Sequence, residues 1–294
     1  MKKIFMLVFL IVTLVTSAAA DVHLKKITEK VYVYTDTQSG LGVNAGIVIG
    51  DDGIVVIDTL VSAKAARSFI QDIQSVSDKP IKYVINTHYH LDHTFGNAEF
   101  VKLGATVIAQ ENAKKSMKDY GNEMLKNIKE YGLTPEQMQG TELAYPVITY
   151  QKRMTLDIGG QLIELIYASH AHTEDDTLVY LPDQKILFAS DILFTDYHPF
   201  LGEGNIKEWV AKLETIESMD LNKIIPGHGP VSDKDDVKKM KEYLLLFDKK
   251  AKELAAQSDN AQDIANRLQK ALPVRSEGAN LIPLNIQMKY MEKE

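Results

Sequence analysis

Histidine is scarce in this chain of 294 residues, yet three of its eight histidines crowd into His88-Tyr89-His90-Leu91-Asp92-His93, together with an aspartate. Chance places such a run in a chain of this composition only on the order of a few times in ten thousand. Alternate positions of an extended loop project the same way, so His88 and His90 can chelate one ion. Asp92, a hard oxygen donor, and His93 can then serve a neighbouring ion. Imidazole and carboxylate without thiolate suit zinc, with iron or manganese also accommodated. An exposed polar loop is the alternative for these four residues, and their spacing argues against it.

One loop cannot fill two coordination spheres, and the sequence offers more donors further on. His170 and His172 lie in Ser169-His170-Ala171-His172-Thr173, Asp191 in Ser190-Asp191-Ile192, and His228 in Pro226-Gly227-His228-Gly229-Pro230. Each follows a strand-like run, as a metal site at one edge of a layered sheet requires. Asp191 has a competing role, since a carboxylate after a strand can cap the next turn. His170 is read as an exposed or supporting histidine rather than a ligand. His198, in Thr195-Asp196-Tyr197-His198-Pro199-Phe200, could touch substrate or simply pack its loop, as could Tyr197 and Phe200. His23 carries no assignment.

The elements that must position these donors are legible from hydrophobic periodicity. Strands are expected at Val31–Tyr34, Ala45–Ile49, Ile54–Asp58, Ile81–Asn86 and Ala105–Ala109. In the second half they are expected at Met154–Ile158, Gln161–Ala168, Thr177–Leu181, Lys185–Ala189 and Lys223–Ile225. Helical spacing covers Ser62–Val76, Ile206–Met219, about Asp233–Leu254 and Ala261–Leu272, the last two closing the chain. The charged stretch from Glu111 to about Tyr131 also reads as helix, broken near Tyr120-Gly121. Strands in both halves with helices between them suggest two sheets packed face to face, with helices outside.

The ordered motifs are Ile57-Asp58-Thr59, Thr87-His88-Tyr89-His90-Leu91-Asp92-His93, Ala171-His172-Thr173, Ser190-Asp191 and Pro226-Gly227-His228-Gly229. In them the chain resembles the metallo-β-lactamase superfamily across almost all of its length after the first twenty residues. It is most similar to exported members of the quinoprotein-associated and sulfur-oxidation-cluster type, a likeness carried by Gly140–Leu143 through His172–Asp176. The resemblance implies an α/β fold, the four-layer αββα sandwich, over residues 21–294, with C-terminal helices from about 233. It implies two Zn²⁺ ions, one on His88, His90 and His172, the other on Asp92, His93 and His228, with Asp191 bridging. Asp58 would steady the His-rich loop.

These ligands imply a hydrolase in which a metal-bound hydroxide attacks a carbonyl-type substrate (an ester, thioester, lactone or lactam), with Asp92 as the catalytic carboxylate. No Gly-x-Ser-x-Gly elbow and no cysteine compete for the role of nucleophile. Two-iron relatives carry glutamate where this chain has His90, which favours zinc. β-Lactam hydrolysis is the first alternative. The best-known lactamase subclass, however, has a cysteine near the position of Asp191 and a lysine a few residues later, where this chain has Leu193, Phe194 and Thr195. A non-catalytic accessory protein of a periplasmic pathway is the second alternative, and a full ligand set argues against it.

Residues 1–20 have the layout of a cleavable secretory signal: Lys2-Lys3, an apolar run from Ile4 to Val15, then Ser17-Ala18-Ala19-Ala20. The run is too short to span a membrane comfortably. The expected location is therefore the periplasm or the medium, with no membrane anchor after cleavage. Without Lys2 and Lys3 the chain carries a net charge of about −9, which disfavours nucleic acid as a partner and leaves a small-molecule substrate. The absence of cysteine excludes disulfides.

Overall fold

In a computed structural model, which describes residues 23–37 and 39–291, the strands gather into two sheets. The proposed signal at 1–20 lies outside the described residues. The first sheet has seven strands in sequence order: β1 (Leu24–Lys26), β2 (Val31–Thr35), β3 (Asn44–Ile49), β4 (Ile54–Ile57), β5 (Ile81–Ile85), β6 (Thr106–Gln110) and β7 (Ile148–Tyr150). The second has five, β8 (Arg153–Asp157), β9 (Leu162–Tyr167), β10 (Thr177–Leu181), β11 (Ile186–Phe194) and β12 (Lys223–His228). Pairing is antiparallel from β1 to β4 and parallel from β4 to β7. In the second sheet only β11 and β12 run parallel.

Strands buried on both faces explain the continuous Val/Ile run of β4 and the largely apolar β3 and β11. Between the sheets, Val33, Val55, Ile57 and Ile85 from one meet Leu165, Val179, Phe188 and Ile225 from the other. The outer face of the first sheet is covered by α1 (Ala63–Val76), whose Phe69, Ile70 and Ile73 face inward, and by Phe100 of α3 (Asn97–Lys102). The outer face of the second is covered by α5 (Ile206–Ser218), α6 (Lys234–Ala255) and α7 (Ala261–Gln269), around fully buried Trp209, Tyr243 and Phe247. The architecture is thus αββα, as the sequence implied.

Helix starts follow their caps. Ser62 accepts from the Ala65 amide, Asn205 from that of Glu208, and Asp233 with Asp236 closes a capping box at the head of α6. Three expectations need correction. α4 runs unbroken from Glu111 to Lys126, because Gly121 lies on its buried face, where a Cβ would stand 3.2 Å from Leu143. β11 extends nine residues to Phe194, so Asp191 lies inside a strand rather than beyond one. After α7 the chain adds α8 (Leu281–Ile286) and a π-helical turn over 287–291.

Candidate metal centre

The C-terminal ends of β4, β5, β9 and β12 converge on one edge, together with the middle of β11. His88 follows β5 in a bent link, and His90 caps the four-residue helix α2 (Leu91–Thr94), which carries Asp92 and His93 on its single turn. His172 follows β9 and His228 ends β12. The sheets are stitched beside this edge. The Thr177 amide donates to the Thr87 carbonyl at 2.8 Å, Thr87 Oγ1 lies 2.7 Å from Ser190 Oγ, and Asn44 Nδ2 donates to the carbonyls of Pro226 and Gly229.

All seven residues singled out from the sequence are brought together, in two groups. One holds His88, His90, His172 and Asp191, the other Asp92, His93 and His228; within each, one donor atom per residue lies within 4.8 Å of the rest. In the first, His90 Nδ1 stands 3.1 Å from Nε2 of both His88 and His172, and Asp191 Oδ2 lies 3.3 Å from His172 Nε2. In the second, Asp92 Oδ2 lies 3.4 Å from His228 Nε2 and 3.6 Å from His93 Nε2. Asp191 stands between the groups, with Oδ1 3.2 Å from His93 Nε2 and Oδ2 3.5 Å from His228 Nε2.

Two observations fit a divalent metal ion. Donors about 2.0–2.1 Å from a tetrahedral ion are about 3.3–3.4 Å apart, close to these separations. His93 Nε2 and Asp191 Oδ1 are buried without a hydrogen-bond partner, a cost that an ion removes.

The far nitrogens of the imidazoles explain how the rings are aimed. His93 Nδ1 lies 2.8 Å from Asp58 Oδ2, and Asp58 also accepts from the Thr87 amide at 2.8 Å and from Thr87 Oγ1 at 2.6 Å. His228 Nδ1 donates to the Leu41 carbonyl at 2.9 Å, and His88 Nδ1 lies 3.2 Å from Thr87 Oγ1. His90 Nε2 faces Glu203 at 3.5 Å. The His172 backbone is fixed by Asp176, whose Oδ2 accepts the amides of His172 and Thr173. Among the described residues other than glycine, six have positive φ, and Asp58, Leu60, Ser169 and Ser190 of these flank the site. Strain of this kind persists where surrounding structure over-determines it.

Charge follows burial and partner. Burial holds His88 well below its ordinary pKa and takes His172 down to about 3. Burial opposes a charge on His228 too, but Asp191 and Asp92 outweigh it and raise it to about 9. Burial likewise works against an ionised Asp92, yet His93 and His228 hold it down to about 2. Most of the cluster is sealed; Asp92 and His90 keep side-chain exposures of 16% and 15%.

Around the mouth, Phe200 meets His90 and His172 edge-on, Tyr197 leans on His228, and Tyr89 packs against His90. His198 is instead buried away from the site, its Nδ1 2.7 Å from the Tyr243 hydroxyl, so its role is packing. His170 donates from Nε2 to the Glu203 carbonyl at 2.8 Å and belongs to neither group. His23 is exposed and remote. Glu203 and Asp176 were not selected from the sequence. An acidic residue between two glycines, Gly202-Glu203-Gly204, soon after Asp191, was the signal available for the first.

A family model described as the metallo-beta-lactamase superfamily matches residues 39–228, and the chain belongs to that superfamily. Most of its members are hydrolases. The chain is similar to the 2,4-dinitroanisole O-demethylase subunit alpha of Nocardioides sp. (strain JS1661), at 26% identity over 61% of this chain and 50% of that protein. It therefore spans about half the length of that relative. It is 24% identical to the metallo-beta-lactamase type 2 of Bacillus cereus, over 75% of this chain and 81% of that one. Among solved structures, a metallo-beta-lactamase from Pontibacter korlensis superposes with a TM-score of 0.62 at 24% identity, covering 76% of this chain and 98% of its own, a likeness of fold.

Proposed function

We propose that this protein is an exported hydrolase using two zinc ions on a small carbonyl-type substrate: an ester, thioester, lactone or lactam. The observation that carries the reading is Asp191, one buried carboxylate facing both donor groups. His88, His90 and His172 would hold one ion and Asp92, His93 and His228 the other, with Asp191 shared. When bound, such ions supply Lewis acidity and bring the pKa of water towards neutrality.

The chain's own residues do the rest. Asp92, the carboxylate left partly open to solvent, orients the attacking oxygen and steadies the leaving group. Tyr89, Phe200 and Tyr197 wall the site and limit water around the reacting carbonyl. No cysteine exists to act as nucleophile or ligand. Residues 1–20 support export to the periplasm, and the acidic balance of the chain supports a small-molecule partner over nucleic acid.

β-Lactam hydrolysis is the second reading, favoured by the likeness to the Bacillus cereus metallo-beta-lactamase and opposed by Leu193, Phe194 and Thr195, none of which offers a positive charge to a substrate carboxylate. The test is turnover of a β-lactam, a lactone and a thioester by zinc-loaded protein, beside His90→Ala. Hydrolysis of one class, with zinc and turnover both lost in the variant, is the expected result. A metal-free variant that remains active refutes the scheme, and failure on all three classes favours an accessory, non-catalytic role.

A further inference from the structure

The loop from Tyr197 to Asn205 runs along the mouth of the metal centre and is pinned from behind by the C-terminal segment. Asn285 donates to the Pro199 carbonyl at 2.8 Å and accepts from the Leu201 amide at 2.6 Å. The His198 amide donates to the Glu277 carbonyl at 2.8 Å, and Lys289 donates to the carbonyl of Gly204. On the other side the Asn205 amide donates to the Ala171 carbonyl at 2.9 Å, and His170 donates to the carbonyl of Glu203 itself. A surface loop is thereby fixed at both flanks of one acidic residue.

That residue aims its carboxylate inward. Glu203 Oε2 accepts from the Tyr89 hydroxyl at 2.6 Å and lies 3.5 Å from His90 Nε2. His90 has two ring nitrogens with distinct surroundings. Nδ1 stands 3.1 Å from the Nε2 atoms of His88 and His172, where a lone pair is needed; Nε2 faces the carboxylate, where a proton is needed. At 3.5 Å the contact is long for a full hydrogen bond, so its present effect is electrostatic. An anion on that side still favours the tautomer with hydrogen on Nε2, which leaves the Nδ1 lone pair free. His93 has the same logic in mirror form, with Asp58 on Nδ1 and Nε2 left free. The carboxylate of Glu203 is also spoken for, because Tyr89 fixes the very oxygen that faces His90.

We propose that Glu203, steadied by Tyr89, is a positioning residue that sets the tautomer and ring orientation of His90 and so tunes the group formed with His88 and His172. The inference rests on the metal-centre reading above. It assigns Glu203 no contact with substrate and no proton transfer in the reaction.

The test is stepwise zinc affinity, by chelator competition, for wild type, Glu203→Ala, Glu203→Gln and Tyr89→Phe, together with visible spectra of the cobalt-loaded proteins and their thermal midpoints before metal is added. Loss of a partner of this kind typically costs about 10–100-fold in metal affinity. Glu203→Ala should lose that much at one ion, keep the other, and change the cobalt spectrum. Glu203→Gln should recover most of the loss, since its amide oxygen can still accept from Nε2–H, and Tyr89→Phe should fall between. Wild-type affinities at both ions in Glu203→Ala overturn the proposal. So does an equal loss at both ions with a lowered midpoint and no rescue by glutamine, which is the signature of a merely structural role. A wild-type protein that takes up no zinc overturns the metal-centre reading itself, and this inference with it.

Discussion

Replacing Asp58 by asparagine separates the fold from the metal centre more cleanly than any change of a ligand. Asp58 is buried at φ 59°, a backbone conformation that asparagine tolerates and alanine does not favour. Its two oxygens accept from the Thr87 amide, Thr87 Oγ1 and His93 Nδ1. Asparagine keeps one oxygen for the Thr87 amide and turns an NH2 group towards His93. Two donors cannot face each other, so His93 must accept at Nδ1 and carry its hydrogen on Nε2. There it faces the carboxylate of Asp191, whose Oδ1 is 3.2 Å away. The fold therefore loses about 1–2 kcal/mol, the scale of one weakened buried hydrogen bond. The metal centre loses more, because the displaced hydrogen occupies the lone pair that the ion needs. A fall of about 10–100-fold in affinity, or about 1.4–2.7 kcal/mol, is expected for the ion shared by Asp92, His93 and His228. Urea unfolding before metal is added reads the first effect, and chelator competition reads the second. Unchanged affinity at both ions, with the expected small loss of fold stability, would refute the argument that Asp58 acts through the His93 tautomer. Alanine is the harsher control, leaving the Thr87 amide and His93 Nδ1 without their acceptor, while Thr87 Oγ1 can turn to Ser190 Oγ, at a cost of about 2–6 kcal/mol.

Two other perturbations test how the ligand loops are held. A Cβ on Gly227 would stand 1.8 Å from Asp191 Oδ1, so Gly227→Ala should displace Asp191 or His228, lower stability by about 1–3 kcal/mol and reduce bound metal relative to wild type, read by unfolding and metal stoichiometry. His198 is held down to about 4 by burial and then by Arg275, against an ordinary value near 6.5. Between those values the unfolded chain binds more protons than the folded one. Stability from this residue is therefore complete above about pH 6.5 and lost as pH falls towards 4, by about 1–2 kcal/mol after allowing for partial solvation. His198→Gln should flatten that part of the stability–pH curve, and an identical slope in the variant would count against it.

The donor set was legible because its evidence is local or chemically scarce. Four donors share six consecutive residues, and the remaining three are histidines or an aspartate beside small residues. The register of α1 could also be read from Phe69, Ile70 and Ile73 on one face, although Ser62, expected within the helix, proves to be its cap. What escaped was set by tertiary context. Gly121 reads as a helix breaker until Leu143 is seen packing over it. β1 and β7, three residues each, are too short to carry a period. Asp191 was expected after its strand because the apolar run pauses at Ser190-Asp191, but the register shifts around Ser190 in its pairing with β12 and the strand continues to Phe194. Glu203 meets Tyr89 across 114 residues of sequence, and no local pattern encodes that contact.

The distribution of donors between the sheets has an energetic consequence. His88 and His90 come from the end of β5 in the first sheet, whereas His172 follows β9 and Asp191 lies on β11 in the second. The other group repeats the division, with Asp92 and His93 on α2 after β5, and His228 at the end of β12. Each group spans the interface between sheets, so an ion in either one ties the two halves of the chain together. Binding to such a site is available only to the docked sheets, and its free energy adds to that of the fold. At a free zinc concentration one hundred times the dissociation constant, one ion contributes about 2.7 kcal/mol. That is comparable with the burial of one large side chain between the sheets. His93 Nε2 and Asp191 Oδ1 face each other across this junction at 3.2 Å without a hydrogen bond of good geometry, and an ion between the groups would satisfy both. A sandwich built this way places its dependence on metal where the two sheets meet, so loss of an ion would be felt in the docking of the sheets as well as at the site.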